Sequence, residues 1–153
     1  MPPTTAEIIA AAHVVVDIPV AWGEMDALNH VNNVSFFRYL ETARVAFIRA
    51  LGPHAGFDVS DRRRGLGFIL QHAECRFRRP VNFPDTLRVT ASLVSIGDDR
   101  FTLEHQVVST ATDHVAAVGR GTIVTYDYAA HAKVSIPPIV RDALARFPIR
   151  AAE

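Results

Sequence analysis

The sequence predicts an α+β fold in which a curved five-stranded antiparallel sheet wraps around one long central helix. Two observations carry this. A single strongly helical segment stands in the first third of the chain, and from Phe68 to Tyr128 the sequence reads as strands and turns with no second helical pattern between them. Four strands in hairpin-like succession make an antiparallel sheet, and its apolar face needs the cover that one long helix supplies.

The elements follow in order. His13 to Trp22 (HVVVDIPVAW) is rich in β-branched residues and predicts a strand, with Pro19 placing it at an edge or near a bulge. From Asn33 to Leu51 the period changes. Phe36, Leu40, Ala43 and Phe47 recur at three and four, and Phe37, Arg44, Ile48 and Leu51 form a neighbouring row, which predicts one long helix closed by Gly52-Pro53. Asn32 and Asn33 stand where a side chain can accept from a free first-turn amide. After a basic loop, Ser60 to Gly67, residues Ala73, Cys75 and Phe77 alternate with His72, Glu74, Arg76 and Arg78 in the period of a half-buried strand. Leu87, Val89, Ala91 and Leu93 form the next strand, and Gly97-Asp98-Asp99 its turn. Further strands run from Phe101 through Val107 and from Val115 to Tyr126. Pro137-Pro138 opens a short helix, about 138–147, with Val140, Leu144 and Phe147 on one side.

Composition bounds the function. The 153 residues are 49% apolar with 8 Gly and 9 Pro, which suits a single domain over 1–153 with its core at about 13–128. Sixteen Lys plus Arg balance sixteen Asp plus Glu, so no net field favours nucleic acid or an anionic membrane. The single cysteine, Cys75, forms no intramolecular disulfide and fits a reducing compartment, with the cytoplasm as the default. The apolar stretch Ile8 to Val20 is broken by His13 and Asp17 and lacks a basic region before it, so neither a signal peptide nor a membrane span is expected.

The chemistry-bearing residues concentrate between the first strand and the long helix, in Gly23-Glu24-Met25-Asp26-Ala27-Leu28-Asn29-His30-Val31-Asn32-Asn33. A carboxylate held beside the unpaired amides of a helix N-terminus can work on a carbonyl whose developing oxyanion those amides receive. The same residue types also cap helices and close turns, so composition leaves both roles open.

The motif D-x-x-x-H-V-N-N-x-x-F followed by Y-L-E-T-A-R resembles the signature of the 4-hydroxybenzoyl-CoA thioesterase-like branch of the hotdog superfamily. The resemblance implies a hotdog-fold acyl-CoA thioesterase that hydrolyses an acyl-CoA to free acid and CoA. It places the catalytic carboxylate, nucleophile or general base, at Asp26 and the oxyanion-binding backbone amide at Asn33. It implies that His30 and Asn32 shape the pocket and that Glu41 and Arg44 form a structural ion pair. Glu24 and Asn29 depart from relatives that carry Asp and Gly at those positions. Asn still tolerates a left-handed turn.

Remaining residues are read more broadly. Trp22, Phe36, Phe37 and Tyr39 are candidates for an acyl pocket, although aromatics at helical spacing commonly belong to a core. Arg62, Arg63 and Arg64, with Arg76, Arg78 and Arg79, are candidates for the CoA phosphates, with a solvated basic cluster as the equal alternative. The histidines show no metal-ligand spacing, and neither a metal nor a cofactor is expected, coenzyme A being part of the substrate. Cys75 reads as a core thiol. There is no G-x-S-x-G elbow and no glycine-rich phosphate loop. A sheet with one covering helix leaves its edges open, so a homodimer or a tetramer is expected. The rival readings are a non-catalytic acyl-CoA-binding hotdog protein and a hotdog dehydratase or hydratase.

Overall fold

The computed structural model describes residues 1–53 and 65–153. Its elements are α1 (Thr5–Ala11), β1 (Val14–Pro19), a 3-10 turn (Trp22–Glu24), α2 (Asn33–Ala50), β2 (Leu66–Phe77), β3 (Thr86–Ile96), β4 (Arg100–Ser109), β5 (His114–Asp127), the two-residue β6 (Ala132–Lys133) and α3 (Pro138–Leu144). All strand pairs are antiparallel, in the order β1-β3-β4-β5-β2, with β6 added against β5. The sheet curls around α2, which touches all five long strands. This is the hotdog arrangement expected of the sequence.

Helix α2 forms because one stripe is apolar and its first turn is capped. Phe36, Tyr39, Leu40, Ala43, Arg44 and Phe47 are buried at spacings of three and four. Facing them, alternate residues of each strand point inward. Val14, Val16 and Ile18 of β1 lie opposite Ala91, Val89 and Leu87 of β3. Leu103, His105 and Val107 of β4 lie opposite Gly121, Gly119 and Ala117 of β5. Leu87, Val89, Leu93, Leu103 and Val107 are fully buried, each worth roughly 1.5–3 kcal/mol of burial.

Four features differ from the sequence expectation. First, α1 was not foreseen. Its seven residues depend on a capping box in which the Thr4 hydroxyl accepts from Glu7 N–H and the Glu7 carboxylate accepts from Thr4 N–H at 2.7 Å. Too short to show a period, it closes over the outer face of β3 and β4. Second, β2 and β3 are not a hairpin: β2 pairs with β5, and β3 with β1 and β4. The connection between them passes the start of α2, where Val31 N–H donates to Val81 O at 2.8 Å. Third, the inner face of β2 is only partly covered, with Leu70 and Phe77 each 40% exposed and Ala73 open. Fourth, the first strand ends at Pro19, and Trp22 belongs to the 3-10 turn.

Beneath α2, His105 is fully buried. Its Nδ1–H donates to Thr90 O at 2.9 Å, and its Nε2 has no partner among the described residues. Burial, with the charge of Arg44, pushes its pKa down to about 4. No described helix is long and apolar enough to cross a membrane.

The unfolded chain therefore takes up a proton at His105 between about pH 6.5 and 4 while the folded chain does not. This part of the stability is intact above pH 6.5 and declines as the pH falls toward 4, by about 3 kcal/mol in all. Denaturant unfolding from pH 7.5 to 4.5 should show that decline, and His105→Gln should flatten it. An unchanged slope in the variant would place the titration elsewhere.

Candidate active site

The polar segment after β1 folds into a short closed loop set on the first turn of α2. Met25 and Val31 form an isolated antiparallel bridge. Between them Asp26 N–H donates to His30 O at 2.9 Å, and Asn29 N–H donates to Asp26 O at 3.0 Å. Asn29 closes the turn with φ 64°, a left-handed conformation that Asn tolerates better than most residues. Asn29 therefore holds the left-handed turn that a glycine would otherwise supply. Asn82 supports it: with its amide turned so that the nitrogen faces the acceptors around it, that nitrogen donates to Asn29 O at 2.8 Å.

The partly buried Asp26 carboxylate is held through one oxygen, Oδ1, which accepts from Leu28 N–H at 2.8 Å. Oδ2 makes no hydrogen bond among the described residues. Asn32 is the N-cap of α2: its Oδ1 accepts from Val34 N–H at 2.9 Å and its carbonyl from Ser35 N–H at 2.9 Å. Asn33 is the first helical residue, and its N–H makes no hydrogen bond among the described residues. An aspartate with a free oxygen and a free, dipole-reinforced amide thus belong to one rigid loop-helix junction.

Glu24 anchors this junction. Its Oε1 accepts from Ala21 N–H at 2.7 Å, its Oε2 pairs with the Arg38 guanidinium at 2.5 Å, and its main-chain oxygen accepts from Asn32 N–H at 2.9 Å. Burial raises the Glu24 pKa, but the Ala21 amide, Tyr39 and Arg38 outweigh it and hold the carboxyl below its ordinary value. Glu24 is therefore the ionised strut of the loop. Burial, then Glu24, pushes the Tyr39 phenol up, which keeps it protonated. Neither Arg38 nor Asn82 was singled out from the sequence. Arg38 lies fourteen residues from Glu24, a separation with no local signature.

The structure brings Asp26, His30, Asn32 and Asn33 together and distributes the other candidates elsewhere. His30 contributes its carbonyl to the loop while its side chain is exposed. Trp22 stands 75% exposed on the 3-10 turn. Phe36 is buried, its ring packed edge-on against Tyr39 at 5.7 Å and Phe77 at 5.3 Å, so it is a core residue beneath the site. Since Phe77 points toward α2, its neighbours Arg76 and Arg78 point to the outer face. There they line a cavity of about 80 Å³ with Glu74, Arg120 and Glu153, and Arg78 pairs with Glu153 at 2.8 Å. Arg79 is exposed. Arg62, Arg63 and Arg64 lie outside the described residues. Cys75 is half-buried, and burial pushes its thiol up to about 11, which leaves it protonated and unreactive.

Comparison with known families agrees with the fold. Residues 20–144, from the end of β1 to the end of α3, match the thioesterase-like superfamily. The chain belongs to that family. A relative from Aquifex aeolicus (strain VF5), named as a candidate esterase, is 33% identical over 89 residues, 58% of this chain. The chain thus matches 66% of that relative's length. Among solved structures, a gentisyl-coenzyme A thioesterase is 27% identical with a TM-score of 0.72, over 85% of this chain and 98% of its own. A thioesterase from Thermus thermophilus, solved with coenzyme A and Zn, is 26% identical with a TM-score of 0.74, over 87% of this chain and 98% of its own.

The cap is testable apart from any activity. Asn32→Ala removes the acceptor for Val34 N–H and should lower unfolding stability by about 1 kcal/mol, whereas Asn32→Asp should keep it. Denaturant titration of both variants measures this, and equal losses in the two would deny the side chain its capping role.

Proposed function

We propose that this protein is an acyl-CoA thioesterase in which Asp26 is the catalytic carboxylate and the Asn33 amide the oxyanion donor. The observation that carries the reading is the junction itself, where a carboxylate with one oxygen free is tied to a helix start with an unpaired N–H. The coenzyme A named for two similar structures supports CoA as the leaving group.

Two routes are compatible with such a junction. In the first, an Asp26 oxygen attacks the thioester carbonyl, the tetrahedral oxyanion accepts from Asn33 N–H, and its collapse expels CoA thiolate. Water then cleaves the resulting mixed anhydride, restoring the carboxylate and releasing the acid. In the second, Asp26 takes a proton from an attacking water and the same amide receives the oxyanion. Both end with free acid and CoA. No cofactor enters either route, and the lone, protonated Cys75 suits action in the cytoplasm.

Asp26→Ala, folded as wild type, should lose roughly 10²-fold or more in kcat for DTNB-detected CoA release. Near-wild-type turnover would remove Asp26 from the chemistry, and no release from any acyl-CoA by wild type would favour an acyl-binding or hydratase protein.

We also propose a homodimer or a dimer of dimers as the working unit. Strand β2 lies at the sheet edge, pairs with β5 alone among the described strands, and leaves Leu70 and Phe77 open. A long edge with exposed apolar residues is a template for pairing. Light scattering at working concentration should give at least twice the monomer mass, and a monomer would overturn the proposed assembly.

A further inference from the structure

The groove between α2 and β2 contains a charge that the loop chemistry does not use. Arg44 lies on the same helical stripe as Asn33 and Phe37, spaced four and then seven residues apart along α2. Its side chain is only 10% exposed, yet it donates no hydrogen bond among the described residues. The nearest carboxylate, Glu41 Oε2, is 3.8 Å away on a side chain 65% exposed. The expected structural ion pair is thus long and one-sided. Burial pushes the Arg44 pKa down, with Glu41 opposing it, but a guanidinium stays charged. His105, which shares this region and is kept neutral, supplies no counter-charge. A buried cation without a hydrogen-bonding anion is costly unless a partner arrives.

The surroundings are shaped to admit one. Arg44 lines a cavity of about 250 Å³ with Phe37, Leu40, Leu70 and Ala73, whose rim includes Glu41 and Arg38. Arg38, on the rim, is the residue that pairs with Glu24 of the segment before α2. Under the guanidinium β5 has Gly121, where a Cβ would stand 3.4 Å from Arg44 Nη1 and 3.3 Å from Leu70 Cδ1. The walls are apolar, and the buried donor among the described lining residues is the fork of Arg44. Along the helix, Asn33 and Arg44 are roughly 16 Å apart, and a helical side chain leans back by about a turn. On helical rise alone the guanidinium lies roughly 11 Å along the helix axis from the Asn33 amide, a separation on the scale of a medium-length acyl chain.

We propose that Arg44 is the recognition site for a carboxylate at the far end of the acyl group, so that the preferred substrates are CoA thioesters of medium-length dicarboxylic acids. This rests on the assignment of the thioester to Asp26 and Asn33. The apolar walls take the methylene chain, and the Arg44 fork takes the terminal carboxylate bidentately.

The test compares octanoyl-CoA with suberoyl-CoA, and hexanoyl-CoA with adipoyl-CoA, on the full-length protein. Wild type should favour the carboxylated member of one pair by roughly 10-fold or more in kcat/KM. Arg44→Met should abolish that preference while keeping octanoyl-CoA turnover, and Arg44→Lys should keep part of it. Equal losses on both members would make Arg44 structural and overturn the proposal, as would a wild-type preference for the plain acyl chains. Calorimetric binding of intact suberoyl-CoA and octanoyl-CoA to Asp26→Ala separates this from the hydrolytic reading. Tighter suberoyl-CoA binding that Arg44→Met removes supports the subsite even if hydrolysis is absent. Equal binding of the two overturns it whatever the activity.

Discussion

The close approach of α2 to the middle of β5 is the constraint on which the rest of the structure depends. It is possible because β5 places Gly119 and Gly121 on the face toward the helix. A Cβ at Gly119 would overlap Leu40 Cδ1 and stand 3.0 Å from the main-chain oxygen of Glu74 in β2, which is fixed by the sheet. With the glycines in place, the apolar stripe of α2 settles into the curled sheet and core packing is continuous from Phe36 to Phe47. The depth of that seat also fixes where the helix begins, and hence where its free amide points.

The loop that bears Asp26 is rigid for the same reason. It is not held by its own few residues alone. Val81 accepts from Val31, Asn82 donates to Asn29, and Glu24 links the 3-10 turn to Arg38 one turn into α2. Each support comes from an element already positioned by core packing. The role proposed for Asp26 needs this kind of restraint, because small displacements from a productive geometry are expensive in rate.

Charge is distributed unevenly across the sheet. On the outer face, Arg120 pairs with the nearly buried Glu104 at 2.9 Å, and Glu153 N–H donates to the same carboxylate at 3.1 Å. There the buried charges are matched. On the inner face, Arg44 has only a distant, exposed partner and His105 is neutral. That contrast distinguishes a structural arginine from one with spare hydrogen-bonding capacity.

What the sequence determined by itself was local. The three-four period from Phe36 to Phe47, the Asn32-Asn33 start and the Gly52-Pro53 stop define α2, because helix periodicity and capping act within a few residues. The alternation in β2 and β3 is legible for the same reason, as is the clustering of Asp26, His30 and two asparagines before the helix. Tertiary structure decided the rest. That β2 pairs with β5 rather than β3 is a matter of which edges meet once the sheet closes on α2, and no short-range pattern encodes it. That Phe36 is core while Phe37 faces the groove depends on the rotation of the helix over the sheet. The burial of Arg44 beside a neutral histidine needs residues from α2, β4 and β5 brought together across the chain, and only packing brings them within reach.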